Sequence, residues 1–198
     1  MSAEIVDLVF GLHGESVALD YADLLLQALL RRLPWLAGEP AAGVHPLAGV
    51  SPGDRVLHLT RRAKLIVRLP AGRTEQARAL TEARLDLGGA VEVGAAAVRP
   101  LTPFKTLYSP FVTVGEADEA AFFGICSGQL KSTGIVAELI CGKPRRGAGG
   151  GDQWHGFSLM LHGLSEEHSL QVQREGLGFE RKRGCGIFIP HKSIAAVS

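Results

Sequence analysis

Branched apolar residues fill EIVDLVFGL at positions 4 to 12, a run that reads as a buried strand. The period then changes. Ala22, Leu25, Leu26, Leu29 and Leu33 recur at helical spacing; Asp20 is placed to cap that helix, Arg31 and Arg32 suit its last turn, and Pro34 stops it. A Gly/Pro-rich stretch runs from Gly38 to Gly53. After it, RVLHLT (55 to 60) and AKLIVRLP (63 to 70) read as strands, Thr74 opens a helix ending near Leu85, and AVEVGAAAVRP (90 to 100) reads as another strand. The order is β-α-β-β-α-β.

The second half repeats that order more faintly. KTLYSPFVTV (105 to 114) predicts a strand, residues 116 to 130 a helix weakened by Gly124 and Gly128, and IVAELI (135 to 140) a strand. WHGFSLMLH alternates with Phe157, Leu159 and Leu161 on one face, Ser165 caps a helix to about Glu175, and CGIFIP (185 to 190) is the final strand. The expectation is an α+β chain of two tandem ferredoxin-like units, 1–100 and 101–198, meeting near Pro100 to Pro103. KPRRGAGGGDQ (143 to 153) reads as a flexible loop inside the second unit.

Composition narrows the function classes. A hydrophobic content of 46% in 198 residues is enough for packed cores. Lys and Arg number 21 against 20 Asp and Glu, so the net charge of +1 announces no basic field, and any polyanion site must be local. Cys126, Cys141 and Cys185 form no C-x-x-C pair and are odd in number, which suits neither zinc nor a disulfide framework and points to a reducing cytoplasm. No basic segment with a long apolar run opens the chain, and charges interrupt the later apolar runs, so neither secretion nor a membrane span is expected.

Chemistry concentrates in a few places. In GLGFERKRGCG (176 to 186), Gly176 and Gly178 are separated by five residues from Gly184 and Gly186, bracketing Arg181, Lys182 and Arg183. Glycine permits φ > 0 and close backbone approach, so such a loop can aim N–H groups at phosphates. It equally fits a helix stop and a twisted turn needing no ligand. Strand 61 to 70 sets Arg62, Lys64 and Arg68 on one parity and Ala63, Leu65, Val67 and Leu69 on the other. That is a basic face for RNA or a plain solvated face. Lys143, Arg145 and Arg146 form a further basic cluster. Among the histidines, His58, His162 and His168 fall inside regular elements, His155 starts a strand, His13 and His191 follow strands, and His45 lies in irregular backbone, where loops present reactive groups.

Gly-x-Gly, five residues and Gly-x-Gly before the last strand of a doubled ferredoxin-like chain resembles the glycine-rich loop of the Cas-six family. GVHPLAG (43 to 49), RRAKLIVRLP (61 to 70) and GCGIFIPHKS (184 to 193) are similar to its Cmx branch, so the likeness covers nearly the whole chain. The chain departs from it at the Gly/Arg insertion 143 to 153 and at ALTEARLDLGG (79 to 89). The resemblance implies a metal-independent endoribonuclease without cofactor that cuts CRISPR precursor RNA within its repeats. Its partners would be precursor and mature guide RNA, with effector-complex subunits as further candidates and no membrane.

The resemblance also implies a histidine acting close after the first helix, and His45 is the match. RNA needs only its own 2′-hydroxyl as nucleophile, with help in proton transfer and in stabilising phosphate charge. His45 serves the first need and Arg61 or Arg62 the second, leaving a 2′,3′-cyclic phosphate and a 5′-hydroxyl. Tyr21 is a possible accessory donor or a buried aromatic. RNA contacts are expected from Lys64, Arg68, Arg145, Arg146, Arg181, Lys182, Arg183 and the glycines 176, 178, 184 and 186. No carboxylate cluster at metal-ligand spacing appears, which disfavours two-metal hydrolysis. The other readings are a repeat-RNA binding subunit that does not cut, a generic RNA-recognition module, against which 6% aromatic content argues, and a small metabolic enzyme on the same fold.

Overall fold

The computed structural model describes residues 3–51, 53, 55–149 and 152–192. It divides into two compact units: Met1–Pro100 with Gly147–Gln153 and Lys182–Gly184, and Leu101–Arg146 with Trp154–Arg181 and Cys185–Ser198.

The first unit runs β1 (Ile5–His13), β2 (Ser16–Ala18), α1 (Tyr21–Arg32), β3 (Gly43–Val44), β4 (Gly49–Val50), β5 (Val56–Leu59), β6 (Lys64–Pro70), α2 (Thr74–Ala77), β7 (Arg84–Asp86) and β8 (Ala90–Pro100). Its main sheet has the order β3-β6-β1-β8-β7, with neighbours antiparallel. One face of that sheet carries Val6, Leu8, Phe10, Leu65, Val67 and Leu69 into a core with Leu25 and Leu29 of α1. Period-two strands over a period-3.6 helix leave every second strand residue on the opposite face.

Two expectations need correction here. Residues 55 to 60 do not supply a strand of the main sheet: β5 joins β2 and β4 in a separate three-stranded sheet. The strand that follows α1 into the main sheet is the two-residue β3, which pairs with β6. Alternation tells that a segment is extended but not which partner it takes. The helix expected from Thr74 to Leu85 stops at Ala77 and ends as a 3₁₀ turn over Arg78–Leu80. Ala83, Leu85 and Leu87 bury at period two, and β7 pairs with β8 instead.

The second unit runs β9 (Thr106–Val112), α3 (Glu119–Ser132), β10 (Glu138–Gly149), β11 (Asp152–His162), α4 (Glu166–Glu175) and β12 (Ile189–Pro190), with sheet order β10-β11-β9-β12. Asp118 caps α3 by accepting from the Ala121 N–H, and Ser165 caps α4 by accepting from the His168 N–H. The stretch 143 to 153, expected as a flexible loop, is mostly strand, because β10 and β11 extend through its described residues. The expected final strand 185 to 190 pairs only through Ile189 and Pro190. In both units the strand after the first helix lies at an edge and the first strand lies between the third and fourth, which is the ferredoxin-like order. No helix among the described residues is long and apolar enough to cross a membrane. Cys126, Cys141 and Cys185 form no disulfide.

Candidate active site

The site begins with register. Asp7 of β1 lies opposite Arg68 of β6 on one side and Arg99 of β8 on the other, and Gly43 of β3 lies opposite Arg68. Directly paired residues share a face, so these four form one row across four strands, on the face turned away from the α1 core. Two residues beyond Gly43, the His45 backbone N–H donates to the Ile66 carbonyl at 2.9 Å, which fixes where its ring emerges. Tyr21 does not remain a loose donor: its hydroxyl accepts from the Leu47 N–H at 2.6 Å and ties this stretch to α1.

The row closes on one carboxylate. Arg68 Nε donates to Asp7 Oδ1 at 2.8 Å, and Arg68 Nη2 and Arg99 Nη2 each donate to Oδ2 at 3.2 Å. His45 Nε2 lies 3.2 Å from Oδ1. Asp7, His45 and Arg68 are buried at 3%, 6% and 1% exposure, whereas the Arg99 side chain keeps 55%. Burial by itself would raise the Asp7 pKa, but hydrogen bonds from His45 and Arg68, with their charges, win and hold it well below the usual carboxylate range. For His45 burial is the largest influence and lowers its pKa, the Arg68 and Arg99 charges add to that, and the bond to Asp7 opposes them without prevailing. The result is a neutral imidazole against an ionised carboxylate.

Arg68 therefore corrects the expectation of a single basic face. It shares parity with Lys64, as expected, but a carboxylate opposite it draws it inside, and a side chain at 1% exposure has no surface to offer a phosphate. Arg61 and Arg62 form an exposed turn before β6, and Lys64 is exposed at its start. Arg62 is four residues from Ile66, about 13 Å of extended chain, and no hydrogen bond links either arginine to His45 among the described residues. Asp7 and Arg99 were not singled out from sequence. The available signal was a charged residue inside the apolar run EIVDLVFGL, where an unpaired acid would be costly.

In the glycine-rich loop, Gly176, Gly178, Gly184 and Gly186 all have positive φ, at 69°, 73°, 88° and 64°. A Cβ on Gly178 would overlap the Thr113 carbonyl and one on Gly186 the Leu177 carbonyl, so both positions exclude larger residues. Gly176 ends α4 by donating to the Val172 carbonyl at 2.8 Å. Arg181–Arg183 make a 3₁₀ turn. Within the first unit, Arg183 donates to Asp23 Oδ1 at 2.7 Å through Nη2, and Lys182 Nζ to the Ala37 carbonyl at 2.9 Å. Arg145 reaches the Pro110 carbonyl at 3.2 Å, and Arg146 is exposed on β10.

Three other histidines make contacts elsewhere. His162 Nδ1 lies 2.7 Å from the Thr106 hydroxyl, His168 Nδ1 accepts from the Val136 N–H, and His191 packs on Tyr108 with ring centroids 5.4 Å apart. His13 is exposed at the end of β1. Among the described residues no three His, Cys, Asp or Glu side chains are grouped to hold a metal ion.

Comparison with known proteins agrees over nearly the full length. The family model described as Cas6 Crispr matches residues 6–193. The CRISPR-associated endonuclease Cas6 of Myxococcus xanthus is 40% identical over 194 residues, spanning 97% of this chain and 84% of that protein. Among solved structures, one from the characterisation of a Cas6-related gene of Pyrococcus furiosus superposes with a TM-score of 0.66 at 13% identity, covering 96% of this chain and 99% of that one. Thermus thermophilus Cse3, bound to an RNA representing a pre-cleavage complex, gives 0.53 at 14% identity, covering 94% and 98%. With two ferredoxin-like units, positive-φ glycines at 176, 178, 184 and 186, and a family match from residue 6 to residue 193, this chain belongs to the Cas6 family.

Proposed function

We propose that the protein is a metal-independent endoribonuclease that cuts CRISPR precursor RNA within its repeats, by attack of a 2′-hydroxyl on the adjacent phosphate. The products are a 2′,3′-cyclic phosphate and a 5′-hydroxyl. The observation that carries this reading is His45: in a chain of this family, a histidine close after the first helix is held in one orientation by a buried, ionised Asp7, while burial keeps its imidazole neutral. A neutral imidazole can move a proton near neutral pH. Arg61, Arg62 and Lys64, exposed together at the start of β6, offer charge to the phosphates, with Arg145 and Arg146 on β10 as a second group. The glycine-rich loop contributes close-approaching backbone rather than Arg181, whose Nε and Nη2 are sealed from solvent. The free cysteines fit a reducing cytoplasm.

His45→Ala should slow single-turnover cleavage of a repeat RNA by about 10²–10⁴-fold. Binding should hardly change, because a neutral ring adds little to the electrostatic attraction for RNA. Affinity is measured on a repeat whose attacking 2′-hydroxyl is replaced by hydrogen, and cleavage is followed in EDTA. Unimpaired cleavage by the variant removes His45 from the chemistry and moves the role to His13. Dependence on added divalent metal rejects the mechanism. The burial of His45 favours a second reading, a subunit that holds repeat RNA without cutting it; no shortened product from the unaltered protein on its own repeat would select it.

A further inference from the structure

The row of charges around His45 assigns more than its position. We propose that Asp7 is a positioning residue that pins His45 as the Nε2–H tautomer, leaving Nδ1 to take the proton from the attacking 2′-hydroxyl, so that His45 acts as general base and not as general acid. This rests on the reading of His45 as a proton-transferring group.

The groups that can donate fix the tautomer. Arg68 and Arg99 donate to both Asp7 oxygens and have no acceptor capacity, so the carboxylate is the acceptor in each contact. An ionised carboxylate cannot donate either. The 3.2 Å contact with His45 is therefore a hydrogen bond only if Nε2 carries the hydrogen. In a neutral imidazole one nitrogen then remains with a lone pair, and that is Nδ1. No hydrogen bond to Nδ1 is made by any described group. An acid role would need a second proton on the ring, making an imidazolium beside the guanidiniums of Arg68 and Arg99 in a buried site. Burial first, and then the like charges, oppose that form in the resting ring, whereas a base acquires the second proton only in the step itself, where the Asp7 carboxylate offsets it. Asp7 on β1, Arg68 on β6 and Arg99 on β8 are the charged groups facing the ring, and they divide the work: the arginines keep the carboxylate ionised, and the carboxylate orients the imidazole.

The chemical step balances without a co-reactant other than water. The 2′-oxygen gives its proton to Nδ1 and bonds to phosphorus, the bond from phosphorus to the 5′-oxygen breaks, and the departing oxygen takes a proton from water. His45 then returns its proton to solvent.

Two measurements test this on the full chain. In ¹⁵N-histidine-labelled protein, with the His45 signals identified by their loss in His45→Gln, Nε2 should be protonated and Nδ1 bare at neutral pH; Asp7→Asn should shift the ring toward the other tautomer. A hydrogen on Nδ1 in the unaltered protein overturns the proposal. The second uses a repeat whose bridging 5′-oxygen is replaced by sulfur, a leaving group that needs no protonation. A general-base defect persists on it and a general-acid defect disappears. His45→Ala and Asp7→Asn should both remain slowed by about 10²–10⁴-fold, the range lost with a base or its orienting carboxylate. Restoration of His45→Ala by sulfur would make His45 the acid, overturning this proposal but leaving the proposed endoribonuclease standing. Full activity of His45→Ala on the ordinary repeat would instead remove both. Asp7→Asn cleaving at the unaltered rate would reject the positioning role alone. Should Asp7→Asn fail to fold, the tautomer of the unaltered protein and the sulfur test on His45→Ala still decide.

Discussion

Two basic stretches of this chain, Arg61 to Arg68 and Arg181 to Arg183, look alike in sequence and are built on different terms. Each loses a cation to a distant carboxylate. Arg68 is bound by Asp7, 61 positions away, and Arg183 by Asp23, 160 positions away. Arg68 and Asp7 keep only 1% and 5% side-chain exposure, while Arg183 and Asp23 keep 21% and 22%. The first pair is locked in a sheet and shared with His45 and Arg99; the second is partly open to water. Charge written in a sequence is thus an upper bound on charge offered to RNA, and burial decides what removing a partner does.

Removing each arginine separates the two pairs. Arg68→Ala leaves Asp7 buried with its charge poorly compensated and should lose about 3–5 kcal/mol of stability. Arg183→Ala, at a partly solvated pair, should lose about 1 kcal/mol or less. Urea denaturation of both variants measures this, and equal losses would mean that burial is not what separates the two stretches.

Backbone comes next. Gly178→Ala meets the Thr113 carbonyl at a φ of 73° and should lose about 1–3 kcal/mol. At Gly38, where an added Cβ meets nothing within 4 Å, alanine should be neutral to within about 0.5 kcal/mol in the same assay. A tolerated Gly178→Ala would make the loop adaptable and remove the structural reason for its glycines.

Acid comes third. His45 has its pKa lowered from 6.5 in the fold, so below that value the unfolded chain takes a proton that the folded one resists. Its contribution is present above pH 6.5 and lost as pH falls, by up to about 1.4 kcal/mol per pH unit. Asp7, also lowered, has the same sign, but its loss begins only near its ordinary value of 3.8. Stability followed from pH 7 to 5 should decline in the unaltered protein, and His45→Gln should lessen that decline. Identical pH profiles would show that His45 is not buried as a neutral ring.

The smallest effect concerns RNA. Arg62→Ala or Lys64→Ala should each lower the salt dependence of repeat binding by a slope of about 0.7 where the RNA is single-stranded. Arg183→Ala should lower it by less, since Asp23 already compensates its charge. A larger change at Arg183 would mean that RNA displaces Asp23.

By itself the sequence determined what depends on neighbours in the chain. The period of Leu25, Leu26 and Leu29 and the stop at Pro34 bound α1 to within a residue or two. The β-branched run places β1, and the glycines at 176, 178, 184 and 186 announce left-handed backbone because glycine enters it without a Cβ penalty. Tertiary structure alone decided the pairings. Val56–Leu59 is extended as its alternation requires, yet Ser16–Ala18 and Gly49–Val50 claim it, leaving Gly43–Val44 beside β6 and setting His45 next to Asp7. Parity placed Arg68 on the face away from the α1 core; only strand register put a carboxylate opposite it. Local patterns encode conformation through φ, ψ and side-chain period, whereas the partners of a strand, and so the charge state of a buried histidine, follow from contacts between residues tens of positions apart that no local period records.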